Sequence, residues 1–267
     1  MKPVRTRAAR YRGGFVAVAL PCSLMLVAAA GPAIAAGCSF EPQGEGRVAA
    51  VIDGRTFRLQ DGREIRLAGI EPVLAERANP ASALAALVAG REVKLSGEDD
   101  APDRYGRQPA FVFLNGPETL VQSELLARGE ALVSATVVHK ECASTLIAAE
   151  TAAREAKRGA WGDPAAIKNA ESPGDILAGI GRFTVVEGKV LSVRQAGATT
   201  YLNFGRSWTQ GFAVTISRRM AAGLETAGII VKSLENRRIR VRGWVEARGG
   251  PRIEVLRVGQ IELLGEI

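Results

Sequence analysis

At 267 residues, with 47% apolar and 24% charged side chains, the chain has room for two globular cores, and its composition excludes global disorder. Aromatic residues make up 5%, so any base-stacking platform must rest on very few rings. The formal charge of +7 is uneven: residues 1–36 carry five cations and no acid, 37–180 carry 16 cations against 21 acids, and 181–267 carry 14 against 7. Polyanion binding is therefore expected of the C-terminal part.

Lys2, Arg5, Arg7, Arg10 and Arg12 precede an apolar run from Gly14 to Ala30 that ends in Ala33-Ile34-Ala35-Ala36. A basic segment, an apolar segment and a small-residue cleavage site make residues 1–36 a secretory signal, with a periplasmic or secreted protein as the consequence. The run approaches the length of a membrane span, but Pro21, Pro32 and the Ala-x-Ala ending favour cleavage over a retained anchor. Lipidation at Cys38 is a third route, with a poor recognition sequence before it. Cys22 leaves with the signal, and an exported chain with two remaining cysteines points to one disulfide, Cys38–Cys142. His139 is the only histidine and Cys-x-x-Cys spacing is absent, which excludes the usual zinc site. His139 reads as a loop residue.

Gly46 to Ile52 reads as the first strand. Thr56 to Leu59 and Glu64 to Leu67 alternate on either side of Asp61-Gly62, a hairpin signal, and Asp53-Gly54 makes a second tight turn. Asn79-Pro80 opens a helix that Gly90 stops, Arg91 to Leu95 is a fourth strand, and Glu98-Asp99-Asp100 an acidic loop. A fifth strand through Phe111 and Phe113 ends at Asn115-Gly116, and helices follow over Thr119–Arg128 and Glu141–Lys157. Five short strands with a helix inserted after the third have the organisation of an OB-type barrel, so the fold class is mainly β with flanking helices.

The pattern Asp53-Gly54-x-Thr56, then Ile65-Arg66-Leu67-x-Gly69-Ile70-Glu71, then Asp103-Arg104-Tyr105-Gly106-Arg107, resembles the staphylococcal nuclease (thermonuclease) family. Leu125 to Ala131 and Ala152 to Trp161 continue the likeness in the right order, which spans about Gly46 to Gly162. The resemblance implies an OB-fold nuclease domain over residues 37–162. It also implies a calcium ion held by carboxylates, a glutamate base and two arginines that neutralise a phosphate. Those arginines fall on Arg66 and Arg107, and the second metal carboxylate on Glu71, with Asp53 as a weaker second ligand. The first metal carboxylate falls on Arg55 and the base on Leu74. The tyrosines that would flank a nucleotide fall on Ala135 and Val137. An arginine repels a hard cation and a leucine cannot accept a proton from water. Arg55 is then either a third phosphate ligand or an exposed hairpin arginine. Arg104 and Tyr105 join the substrate-binding set, and Glu76 is a mis-spaced substitute base. For Arg107 the alternatives are a phosphate clamp and a turn in which it pairs with a nearby acid.

Residues 163–181, rich in proline and glycine, read as a linker. Residues 182–267 read as a second, basic OB-like β domain, a small β-barrel, with strands near Phe183–Val193, Thr199–Phe204, Gly211–Ser217, Arg237–Val245 and Arg252–Val255 and a short helix around Ala221–Ala227. Arg238, Arg240, Arg242 and Trp244 alternate onto one face. They read either as a strip that tracks phosphates and stacks a base or as a solvated face paired with glutamates. Tyr201, Phe204 and Trp208 extend the strip if they point outward.

The sequence thus points to an exported binder of nucleic acid or another polyanion, built on a nuclease fold with a degenerate site. The alternatives are an active calcium-dependent phosphodiesterase on DNA or RNA, and an envelope module that binds a protein.

Overall fold

The computed structural model describes residues 1, 36–38, 40–74, 79–98, 101–114, 119–207 and 210–265. The signal segment with Cys22, and Glu76, Asp99, Asp100, Asn115, Gly116 and Trp208, lie outside the described residues. The N-terminal part runs β1 (Glu41–Asp53), β2 (Thr56–Leu59), β3 (Glu64–Leu67), β4 (Ile70–Pro72), α1 (Pro80–Val88), β5 (Glu92–Gly97), β6 (Gln108–Leu114), β7 (Thr119–Leu120), α2 (Val121–Ala127), β8 (Ala131–Val133) and α3 (Lys140–Glu155).

β1 serves two partners. Glu41 to Arg47 pairs with β5, with a register shift between Pro42 and Gly44, and Val48 to Asp53 pairs with β2, with shifts between Val48 and Ala50 and between Val51 and Asp53. The hairpin β2–β3 turns at Asp61-Gly62 as its sequence requires, with Gly62 at φ 92. β3 then pairs in parallel with β6, which pairs with β5, so the order β1-β2-β3-β6-β5 closes into a five-strand barrel. Alternate residues of these strands, Phe57, Leu59, Ile65, Leu67, Val93 and Leu95, fill its centre, each contributing about 1.5–3 kcal/mol by leaving water. Helix α1 starts where Asn79 accepts the N–H of Ser82 at 3.1 Å, a side-chain cap followed by Pro80 at the first helical position.

Two features clamp the helices to the barrel. Gln122 of α2 is fully buried; it accepts the N–H of Val112 and donates to the carbonyl of Ala110. Cys38 and Cys142 are joined in a disulfide that ties the segment before β1 to the first turn of α3. Among the described residues no helix is long and apolar enough to cross a membrane.

The C-terminal part runs β9 (Ile167–Asn169), α4 (Pro173–Leu177), β10 (Phe183–Lys189), β11 (Ser192–Ala196), β12 (Thr199–Asn203), β13 (Ala213–Ser217), α5 (Arg218–Thr226), β14 (Arg238–Arg248), β15 (Gly250–Val255) and β16 (Ile261–Leu263). Its sheet has the order β11-β12-β13-β15-β14-β10-β9, with β16 added beside β14. β10 and β11 are consecutive segments of one stretch, so the path leaves from and returns to the same piece of chain. The parallel pair β13–β15 repeats the parallel pair β3–β6, which makes the order OB-like although the two halves share no alignable sequence repeat.

The segment 163–181 is not a free tether. Its prolines and glycines shape short turns, but β9 pairs in parallel with β10 and Ile176 is fully buried in the C-terminal core. Val73, Leu132, Ala153 and Trp161 from the N-terminal part pack with Val185, Ile167 and Phe183. The described residues from 36 onward accordingly form one compact unit.

Candidate phosphate site

The turn after β1 sets the first functional side chain. Asp53 Oδ1 accepts the backbone N–H of Arg55 at 2.8 Å, a turn closed by its own aspartate. Gly54 between them has no room for a side chain: a Cβ there would collide with Pro72 and Pro80. The turn therefore lies against the end of β4 and the start of α1. The carbonyl of Arg55 accepts the N–H of Leu67 at 2.8 Å. From this anchored backbone the Arg55 guanidinium reaches Glu71 of β4 and forms an ion pair with it.

Glu71 is buried, and burial pushes its carboxyl above the ordinary glutamate range while Arg55 and Arg66 pull it back. Arg66, on β3, stands between two acids: its guanidinium is 3.7 Å from Glu71 and 3.7 Å from Asp103. Desolvation, and then the neighbouring Arg55, lower its pKa. Asp103 and Arg107 close the other side. Asp103 Oδ2 accepts from Arg107 Nη2 at 2.8 Å and Nε at 3.0 Å, while Oδ1 accepts the backbone N–H groups of Tyr105 and Arg107. This hydrogen bonding, chiefly from the Arg107 side chain, holds the Asp103 carboxyl down at about 2. The Tyr105 ring stays 63% exposed, with the guanidinium carbons of Arg104 and Arg107 at 4.7 and 4.9 Å from its centre.

The result is three arginines and two acids in direct ion-pair contact, with Asp53 near enough to act on Glu71 and Arg107. The Arg66 and Arg107 side chains are 30% and 19% exposed, so the cluster reaches the surface. Such a cluster is chemically disposed to take an anion: Arg66, held loosely at 3.7 Å by two acids, offers a planar fork to a phosphate.

The same residues do not fit calcium, which takes six to eight oxygen ligands. The carboxylate of Glu71 is engaged by a guanidinium, and among the described residues no three His, Cys, Asp or Glu side chains gather as metal ligands. Leu74 is exposed beyond β4. Ala135 and Val137 are half-buried beyond β8, where they offer no ring.

A family model described as Staphylococcal nuclease homologue matches residues 74–163. Together with the closed five-strand barrel, the match fits a staphylococcal nuclease-like domain in the N-terminal part. The matched stretch holds Asp103 and Arg107; the pairing of β3 with β6 brings Arg66 to them, and Glu71 and Arg55 join through their ion pairs with Arg66 and with each other. No curated protein matches the chain.

The C-terminal strip differs from its expectation. Arg240 and Arg242 are buried, 9% and 4% exposed, and every arginine of the row is paired. Arg238 and Arg240 bind Glu187 of β10 at 2.8 and 3.0 Å, Arg240 binds Glu262 of β16 at 2.8 Å, and Arg242 binds Glu150 at 2.8 Å. The physical reason is register: Glu187 lies directly opposite Arg240 on one side and Glu262 directly opposite it on the other. Only Arg238 and Trp244 keep an exposed side chain. Phe204 is core rather than an outward ring, and Tyr201 is half-buried.

Glu150 itself escaped notice in the sequence. It sits in the buried stripe of α3 with Cys142, Leu146 and Ala153, and a carboxylate in that stripe was the available signal. Its Oε1 accepts the N–H of Val133, and Arg242 donates to the Val133 carbonyl, so the nuclease-like domain and the C-terminal sheet grip β8 together.

Proposed function

We propose that the chain is an exported nucleic-acid-binding protein in which the nuclease-like barrel holds a backbone phosphate through Arg66 and Arg107 without calcium-dependent hydrolysis. The observation that carries this reading is the Arg55–Glu71 ion pair. It puts a fixed positive charge against the carboxylate where the family resemblance implies a metal. An arginine there supplies electrostatic attraction for a phosphate but polarises no water as a metal does. Leu74 offers no base in its place. The exposed Tyr105, with guanidiniums against its ring, adds a surface on which a base stacks. The buried Cys38–Cys142 disulfide is compatible with an oxidising compartment and supports the export reading of residues 1–36.

The test pairs binding with turnover. Fluorescence anisotropy with single-stranded DNA and RNA oligonucleotides is expected to show association that weakens steeply with salt and falls in Arg107→Ala. Gel assays with and without calcium are expected to show no cleavage. Calcium-dependent cleavage that disappears in Glu71→Ala overturns the reading in favour of an active phosphodiesterase. Salt-independent behaviour with no oligonucleotide binding overturns it in favour of a protein-binding module.

A further inference from the structure

The arginine row on β14 is consumed internally, yet the C-terminal part stays strongly basic. Setting aside Arg238, Arg240 and Arg242 with Glu187 and Glu262, residues 181–267 still carry 11 cations against 5 acids. Part of this surplus collects on the outer face of the sheet β11-β12-β13-β15.

Register identifies that face. Val193, Leu202, Val214, Ile253 and Val245 lie side by side across the strands, and all but the partly buried Val193 are fully or nearly fully buried in the core. The rows on either side of them therefore lie on the opposite face of the sheet, where Asn203 and Thr215 at its centre are buried and the exposed side chains stand around them. One of these rows is Arg194, Tyr201, Thr215 and Glu254; the other is Ser192, Asn203, Ala213, Arg252 and Glu246. Tyr201 is half-buried beside the exposed Arg194. Arg252 and Arg248 share Glu246 at 3.6 and 3.8 Å, so one acid serves two guanidiniums. Arg206 is exposed in the loop whose Gln210 and Gly211 backbone presses on Gly250, at the end of the sheet that Arg248 occupies.

We infer that this outer face, with Arg194, Tyr201, Arg206, Arg248 and Arg252, is a second nucleic-acid surface, and that its occupant is a single strand. The inference rests on the nucleic-acid reading of the chain but uses none of the residues of the barrel site. The occupant follows from the chemistry. An aromatic ring among guanidiniums offers a base a stacking partner and its flanking phosphates a countercharge, whereas a duplex keeps its bases stacked internally. An anionic lipid surface fits less well, because neither row carries an exposed aliphatic side chain to enter it.

The experiment uses an oligothymidylate of about 15 nucleotides, the order of one to two sites on such folds, with anisotropy read across a salt series. Arg194→Glu with Arg248→Glu, both exposed positions, is expected to weaken binding at least tenfold. It is also expected to flatten the log-affinity against log-salt slope by about 1.4, two contacts at about 0.7 each. Tyr201→Ser is expected to weaken binding about tenfold with a smaller change in slope, and Tyr201→Phe, which keeps the ring and the fold, to bind as the parent does. Unchanged binding in the double variant, with a loss in Arg107→Ala, overturns this surface and leaves the barrel site standing. A loss in the double variant alone supports this surface and sinks the barrel site. Preference for phosphatidylglycerol vesicles over the oligonucleotide overturns the single-strand assignment.

Discussion

The molecule holds two clusters of three arginines, one with two acids and one with three, and they are built differently. In the nuclease-like domain, Arg55, Arg66 and Arg107 meet Glu71 and Asp103 at the barrel surface, and Arg66 touches its two acids only at 3.7 Å. In the C-terminal sheet, Arg238, Arg240 and Arg242 meet Glu187, Glu262 and Glu150 at 2.8–3.0 Å, and side-chain exposure falls from 48% at Arg238 to 5% at Arg242. An arginine pattern on one strand therefore does not define its role. Acids placed opposite it by neighbouring strands turn a row into a structural ladder; in the barrel cluster Arg55 and Arg107 are paired as closely, and Arg66 stands 3.7 Å from its two acids. A buried pair is costly to form and costlier to break, whereas the barrel cluster keeps its guanidiniums where an incoming phosphate can compete.

The largest way to break this comparison is at the ladder. Arg242→Met strands Glu150, which is fully buried, and is expected to cost about 3–5 kcal/mol in urea unfolding; adding Glu150→Gln, which removes the stranded charge and keeps an acceptor for the Val133 N–H, should recover part of it. A cost under about 1 kcal/mol in the single variant shows that the ladder is not what joins the two parts. Next, Arg55→Asp exchanges the guanidinium beside Glu71 for a carboxylate. Calcium is expected to leave the parent's melting temperature unchanged but to stabilise this variant, by about 2.7 kcal/mol at 100 times its Kd. Third, Arg107→Ala is expected to weaken oligonucleotide binding about tenfold, the loss of one charged hydrogen-bonded contact, while changing stability by no more than about 1 kcal/mol.

The smallest effect concerns acid. The folded Asp103 carboxyl is depressed to about 2, so its contribution to stability is fully present above its unfolded pKa of about 3.9 and lost as pH falls through about 2. Carboxyl titration followed by NMR should place the Asp103 midpoint near 2; a midpoint near 4 means that the clamp with Arg107 does not persist in solution.

Much of the barrel was legible because its signals are local. Asp61-Gly62, Asn79-Pro80 and the alternation of Phe57, Leu59, Ile65 and Leu67 each specify a turn, a cap or a face within a few residues. Motif spacing in the sequence also picks out Arg66, Glu71, Asp103 and Arg107, which the fold gathers into one ion-pair cluster. The ladder was not legible: Glu187 and Glu262 are 53 and 22 residues from Arg240, and only strand register brings them together. The 163–181 segment misled for a related reason. Its glycines and prolines describe turns correctly but say nothing about whether those turns are packed, and β9 and Ile176 are.

The Cys38–Cys142 link gives the molecule a topology that the linear sequence lacks. The two cysteines lie 104 positions apart, so the five barrel strands, α1, α2 and every residue of the arginine cluster lie inside a covalent ring. A single cut by a protease anywhere within that ring leaves one molecule rather than two fragments, held by its sulfurs as well as by its packing. The nicked protein should migrate as two pieces in a denaturing gel only after a thiol reductant has been added. Where proteases are met and reductants are scarce, the arginine cluster is enclosed by a part of the chain that a single cut cannot divide.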